Sequence, residues 1–296
     1  MLEGEFYRAR FLDIDPLQGN FRAMADRTVQ LVVHYDGARF AGWQRQPVVR
    51  TVQGELEQAF GRLIDRPVAV TGAGRTDRGV HARGQVAHAK VPERWTMDRL
   101  RRGLNALLPD DIWVAAVYEM VDRFHARYSA ISRAYSYYVG TDDGAWSPFR
   151  RRYEWRVPWK VDGAALHEAA RGIVGEHTFR GFAVQGTAPE TDDHRCIVER
   201  AEWRPRGRQT GEGEMPAGAQ EGEGYVFTIE ANRFLHHMVR FLVGTMLDIA
   251  AGHRTMESLG RLLEAQDNST VSPPAPPHAL FLDRVTYPAD LYLNRS

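Results

Sequence analysis

One carboxylate set among cations is the most chemically suggestive feature of this chain. Asp77 stands in the run Gly72-Ala-Gly-Arg-Thr-Asp-Arg-Gly79, between Arg75 and Arg78, with His81, Arg83 and Gln85 following. Glycines at 72, 74 and 79 allow tight turns and the close approach of a ligand. Neighbouring cations favour an ionised carboxylate at neutral pH and attract a polyanion. An anionic catalyst on an open, cationic loop suits chemistry on a nucleic acid. The glycine spacing is not that of a dinucleotide fingerprint, and the loop lacks the Gly-Lys-Ser/Thr ending of a P-loop. The plain alternative is a glycine hairpin in which Asp77 caps a turn.

The elements that must position this loop can be read around it. Residues 28–36 read as a strand, and from Thr51 the residues Val52, Leu56, Ala59, Phe60, Leu63 and Ile64 follow helical spacing. Strands fit 67–71 and 85–91 on either side of the loop. A helix follows from about Thr96 to Pro109, then strands at 112–119 and about 132–139. The order β-α-β-β-α-β is ferredoxin-like. The second half repeats it loosely. A helix from Asp162 to Val174 precedes strands near 178–184, 196–204 and 225–231. A long helix over 233–252, a short one from Thr255 and a last strand at 280–287 complete it. The expected fold is therefore α+β, with two ferredoxin-like halves around a central sheet and a site in the cleft between them. Residues 1–26 form an N-terminal extension, 27–130 a first unit and 131–296 a second. Residues 209–224, rich in Gly and Glu, read as a flexible acidic insertion, and Ser272-Pro-Pro-Ala-Pro-Pro277 as a rigid connector.

Two further groups could do chemistry. At about 100° per residue, Arg233, His237, Arg240 and Gly244 fall on one helical stripe beside an apolar arc. Such a helix would aim Arg240 into a cleft, with Gly244 leaving room for a partner; the alternative is a solvated basic face. On that helix His236 and His237 diverge and make a poor metal pair. In the strand at 132–139, alternation sets Tyr135 and Tyr137 on one face and Tyr138 on the other. A tyrosine in a strand is usually core, but it can also stack on an extruded base and carry a proton.

Composition permits RNA binding without demanding it. The formal charge is zero, yet it is segregated: residues 1–26 carry a net −2 and residues 209–224 a net −4, so the remainder is +6. Nearly all the cations are arginine, with Lys90 and Lys160 the only lysines. Arginine forks suit phosphate and base stacking. The only cysteine, Cys196, excludes a disulfide framework, and His194 beside it has no further ligands at zinc-like spacing. No apolar run is long enough for a membrane span, and the first 25 residues lack a signal-peptide pattern. The expectation is a cytoplasmic protein.

The segment Gly74-Arg-Thr-Asp-x-Gly-Val-His-Ala82 with Gln85 resembles the signature of the tRNA pseudouridine synthase A (TruA-type) family. Tyr35-Asp-Gly-x-x-Phe-x-Gly-Trp-Gln-Arg45, Asn105-Ala-x-Leu-Pro109, Phe124-His-Ala-Arg-Tyr-Ser-Ala130, Arg133-Ala-Tyr135 and Asn232-Arg-Phe-Leu-His-His-Met-Val-Arg240 are similar to further family segments. The resemblance runs from about residue 28 to 288. It implies the pseudouridine synthase fold and an isomerase that converts uridine to pseudouridine at positions 38, 39 and 40 of the tRNA anticodon stem-loop. It implies no metal or other cofactor, and a homodimer sharing one tRNA. It makes Asp77 the catalytic aspartate, Arg75 and Arg240 its charged partners, and Tyr135 the stacking residue and candidate base. Arg45, Arg78, His81, Arg83, Gln85, Arg233 and His237 are the expected substrate contacts. Two other classes compete: a non-catalytic tRNA-binding or chaperone module on the same fold, and a glycosidase-like hydrolase, which lacks a second carboxylate.

Overall fold

In the computed structural model, residues 25–187, 193–206 and 223–293 are described. The chain order is β1 (Asp26–Tyr35), α1 (Val52–Ile64), β2 (Thr71–Gly72), β3 (His81–Pro92), α2 (Met97–Leu107), β4 (Ile112–Met120), β5 (Ser132–Gly140), β6 (Trp155–Arg156), α3 (Gly163–Gly172), β7 (Gly175–His177), β8 (Cys196–Arg206), β9 (Gly224–Ala231), α4 (Met238–Ala250), α5 (Met256–Glu264) and β10 (Leu280–Thr286). One sheet runs β4-β1-β3-β10-β5-β9-β8-β7, with β2 paired to β3 and β6 to β5. The ferredoxin-like reading of each half holds, because β4-β1-β3-β2 and β10-β5-β9-β8 share the same order. Pairing is antiparallel except for β5 with β6 and β3 with β10.

Helix starts follow local chemistry. Thr51, Thr96 and Asp162 accept from the backbone N–H groups of Gly54, Arg99 and Ala164 in the first turns of α1, α2 and α3. The helices bury their apolar stripes on one face of the sheet. Leu56 and Phe60 of α1 and Leu100 and Leu104 of α2 pack with Val29, Leu31 and Val33 of β1. Leu166 of α3, Leu242 and Met246 of α4 and Leu262 of α5 pack with Tyr137, Val139, Trp203 and Phe227. Tyr135 touches both cores. No described helix is long and apolar enough to cross a membrane.

Between the two halves the sheet ladder is short, with His81 paired to Phe281 and Ala82 to Leu282. Bulges flank this join on both strands: the β1 register shifts between Ala82 and Gln85, and the β5 register between Leu282 and Arg284. A bulge adds a residue and reverses side-chain parity beyond it. His81 and Arg83 therefore face away from the helices, whereas Ala82 and Gln85 share the face of Tyr35. Gly84 sits at the bulge because a Cβ there would overlap the Asp283 carbonyl oxygen.

Several expectations need correction. Residues 178–184 are not a strand. Gly175–His177 pairs with β8, and Phe179 then turns through a left-handed conformation so that Phe179 and Phe182 both enter the core. The segment at 67–71 contributes only Thr71–Gly72 to the sheet. The helix expected over 233–252 begins at Met238, after a left-handed His237. Asp26, assigned to the extension, already pairs with Pro92; residues 1–24 lie outside the described residues. The insertion at 209–224 also lies outside them except for Glu223 and Gly224, and Gly224 opens β9 opposite Gly140.

Substituting Gly84→Ala should separate the join and cost about 2 kcal/mol or more, as close-packed backbone sites do. Chemical denaturation checks this: a loss below about 0.5 kcal/mol would mean that the join tolerates a side chain.

Candidate active site

The Asp77 loop is built by the elements before and after it. The backbone N–H of Trp43 donates to Thr76 O at 3.1 Å, and the Val80 N–H closes a turn on Asp77 O at 3.2 Å. Gly42, at φ +105°, leaves room for that approach, since a Cβ would lie 2.6 Å from Thr76 O. Below the loop, Tyr35 Oη and Thr76 Oγ1 are 2.8 Å apart, and Gln85 Nε2 donates to Gly74 O at 3.0 Å. Burial pushes the Tyr35 phenol up to about 12, so it stays protonated and available to bond Thr76.

The carboxylate meets its cation across the join. Arg240 Nη1 lies 3.2 Å from Asp77 Oδ2. Arg240 is itself held by the proline-rich connector: its Nε donates to Ala275 O at 2.7 Å, and its carbonyl accepts from Ala275 N–H at 3.0 Å. Tyr137 Oη anchors the same connector at Pro276 O. Gly244 does leave room for a partner, and that partner is the carbonyl of Pro273. The start of α4 adds partial positive charge beside Asp77.

Two histidines complete the surroundings, against the helical reading. His236 Nε2 is 3.4 Å from Asp77 Oδ1, and His237 Nε2 is 3.3 Å from Oδ2. They converge because both precede the helix, and the left-handed His237 turns the chain at its start. Burial, reinforced by Arg240 and His236, holds the His237 imidazole below its ordinary range, although Asp77 opposes this. Among the described residues, these three offer ligand atoms within 4.8 Å of one another, a spacing that suits a divalent cation. Arg240 already supplies positive charge to the same carboxylate.

Tyr135 stands beside this group, edge-on to Phe234 with ring centroids 5.0 Å apart. Burial pushes its phenol well above the ordinary range, with further upward contributions from Tyr35 and Asp77. Tyr135 is therefore a neutral ring at neutral pH, suited to stacking and to relaying a proton rather than to acting as a phenolate base.

Other expected site residues stand elsewhere. Arg75 is exposed and donates through Nε to Gln44 Oε1 at 3.1 Å, so the guanidinium on Asp77 is that of Arg240. Arg78 is exposed on the loop, and Arg45 is exposed and paired with Glu57. His81 is buried on the opposite face, where Gly37 N–H donates to its Nδ1 at 3.0 Å and its ring stacks on Phe281. Arg83 shares that face, bonded to Tyr138 and Asp283 and lying over the Phe281 ring. A cavity of about 260 Å³ opens there, lined by His81, Arg83, Tyr138 and Phe281. It is separated by the sheet from Asp77. Gln85 is a buried loop support, and Arg233 lies near enough to Arg133 to act on it electrostatically.

Arg133 is a structural contributor to which no role was assigned from its motif. Its Nη1 donates to Ala130 O and Asn232 O at 3.2 and 2.7 Å, and its Nη2 to Ala73 O and Arg127 O at 3.3 and 2.8 Å. One planar fork thus ties the Asp77 loop to the segment before α4. Its position two residues before Tyr135, on the same strand face, was the available signal.

A family model described as tRNA pseudouridine synthase matches residues 31–129 and 169–288. The chain belongs to this family. It is 40% identical over 264 residues to the tRNA pseudouridine synthase A of Cereibacter sphaeroides, covering 88% of this chain and 96% of that one. Proteins of the same name from Parabacteroides distasonis and Halalkalibacterium halodurans are 38% and 39% identical over 259 residues. Each alignment covers 87% of this chain, with 95% and 92% of the respective relatives. Within a family whose reaction is an isomerisation, the arrangement around Asp77 joins a carboxylate, a guanidinium and a half-buried aromatic ring.

Arg133→Ala should release the loop and cost about 2 kcal/mol or more. Arg133→Lys should recover little of it, because an ammonium cannot span four carbonyls as a planar fork does. Equal unfolding midpoints for Arg133→Lys and the unaltered protein would refute the clamp.

Proposed function

We propose that this chain isomerises uridine to pseudouridine in the anticodon stem-loop of tRNA, at positions 38, 39 and 40. The observation that carries the reading is the Asp77 carboxylate, held 3.2 Å from Arg240 on the face that also carries Tyr135. Family membership supports tRNA as the substrate, and the resemblance in the loop motifs supports the stem-loop positions.

A uridine in a stem must leave its stack before the base or C1′ can be reached, at a cost of a few kcal/mol. The exposed Arg75 and Arg78 on the loop supply cations for the phosphates of the distorted strand. Tyr135 offers its ring to the extruded base. Asp77 then starts cleavage of the N1–C1′ bond, as nucleophile at C1′ or C6 or as base toward the 2′ proton. The uracil rotates, C5 bonds to C1′, any bond to Asp77 is broken or the 2′ proton returned, N1 takes up a proton, and the C5 proton is lost to solvent, with Tyr135 relaying it. No atom is gained or lost between uridine and product. Arg240 aims the carboxylate and balances its charge throughout.

On this reading the units 27–130 and 131–296 each bring one side of the site: Asp77 from the first, Tyr135 and Arg240 from the second. The enzyme works in the cytoplasm as a homodimer that shares one tRNA between two subunits. Its affinity for tRNA falls steeply with salt, because phosphate contacts release counterions.

The experiment is Asp77→Asn with tRNA tritiated at uridine C5. Folding should persist within about 1 kcal/mol, as for most changes outside a core. Binding should be kept, and tritium release lost. Arg240→Ala should lose more turnover than affinity. Substantial release by Asp77→Asn, once deamidation is excluded, would remove Asp77 from the chemistry. Normal binding with no release by the unaltered protein would instead favour a tRNA-binding module.

A further inference from the structure

The turn at 125–130 presents an aromatic ring to solvent on a frame that leaves it little freedom. Tyr128 is 78% exposed. Its ring stacks on His125, with centroids 4.4 Å apart and planes inclined by 29°. His125 Nδ1 accepts from the backbone N–H groups of Arg127 and Tyr128, at 3.2 and 3.3 Å, which fixes the imidazole under the phenol. The His125 ring rests in turn against His88, 4.7 Å away, and His88 Nδ1 accepts from Ala126 N–H. Ser129 N–H donates to His125 O, and Tyr287 Oη to Ala126 O. The exposed Arg127 carries its guanidinium 5.7 Å from the centre of the Tyr128 ring.

This turn is joined to the active-site loop. Arg133 Nη2 donates to Arg127 O at 2.8 Å and to Ala73 O at 3.3 Å, so the two backbones lie on either side of one nitrogen. Other exposed aromatics, such as Trp113 and Phe149, line the cavity on the opposite face and have no such tie.

We propose that Tyr128, backed by His125 and flanked by Arg127, is a stacking site for an unpaired nucleobase of the substrate RNA, next to the one that reacts. The inference rests on the reading of this chain as a tRNA-modifying enzyme. The chemistry fits one ligand class: a flat base gains a prepositioned aromatic surface, and the phosphate beside it gains a guanidinium. Ordering was done on folding, so little side-chain entropy is lost when the base arrives. The site acts in binding and registering the RNA, not on the reacting atoms.

The test compares tRNA affinity and single-turnover rate for Tyr128→Ala, Tyr128→Leu and Tyr128→Phe. Affinity should fall about 5- to 150-fold for Tyr128→Ala and Tyr128→Leu, the range of one base–aromatic stack, and be kept in Tyr128→Phe. The single-turnover rate at saturating tRNA should change less than affinity. A scan of tRNAs with single abasic sites should find one nucleotide at which Tyr128→Ala costs nothing further. Affinity equal to that of the unaltered protein in Tyr128→Ala would overturn the site, as would full rescue by Tyr128→Leu. Because affinity is read by binding alone, failure here leaves the isomerase reading standing. An absence of tritium release by the unaltered enzyme would sink that reading without bearing on the Tyr128 comparison.

Discussion

The structure depends on a charge pair between residues 163 positions apart, Asp77 and Arg240. Such a pair is unfavourable to assemble from mobile parts, because both groups lose solvation and both loops lose entropy. Here each partner is held before they meet. Trp43, Tyr35 and Gln85 fix the loop under Asp77, and the connector at Ala275 fixes the guanidinium of Arg240. Truncating Asp77 would leave the Arg240 guanidinium half-buried without its carboxylate, a loss that an isosteric amide, which still offers an oxygen, largely avoids.

Two similar units make this geometry possible. Each follows the same strand order and puts its helices on the same face, so a site forms where the helix layers part. The sheet ladder between the units is two residue pairs of β3 and β10 long, and the bulges beside it let the strands separate beyond. The gap that opens is bridged by Arg133, which bonds carbonyls from three segments. The same side chain carries the exposed turn at 125–130 on its other side, so the chemistry and the proposed RNA contact share one support.

Much of this was legible in the sequence. Helical spacing located α1 and α2, and alternation placed Tyr135 and Tyr137 on one face. The glycines around Asp77 announced a tightly turning loop, as the left-handed Gly79 bears out, and Gly244 announced a neighbour. What was not legible turns on single backbone irregularities. The bulge at Arg83 and Gly84 breaks the odd-number alternation that would put His81, Arg83 and Gln85 together. It leaves Gln85 beneath the loop and sends the other two to the far face. The left-handed His237 ends the supposed helical stripe and brings both histidines onto Asp77. The resemblance implies Arg75 as a charged partner of Asp77, but Arg75 is exposed and bonds Gln44 instead. The partner from the second half of the chain is the one in contact. These features depend on tertiary packing, which spacing alone does not encode.

On the proposed reading, a carboxylate pre-assembled against Arg240 rearranges a uridine without releasing its base. The most direct measurement is of the product: nucleoside mass balance and position mapping of tRNA after incubation with the purified enzyme. Pseudouridine should be gained one for one with uridine lost, confined to the anticodon stem-loop, with no free uracil. Free uracil with abasic tRNA would contradict it and point to hydrolysis, and an unchanged nucleoside composition with bound tRNA would contradict catalysis altogether.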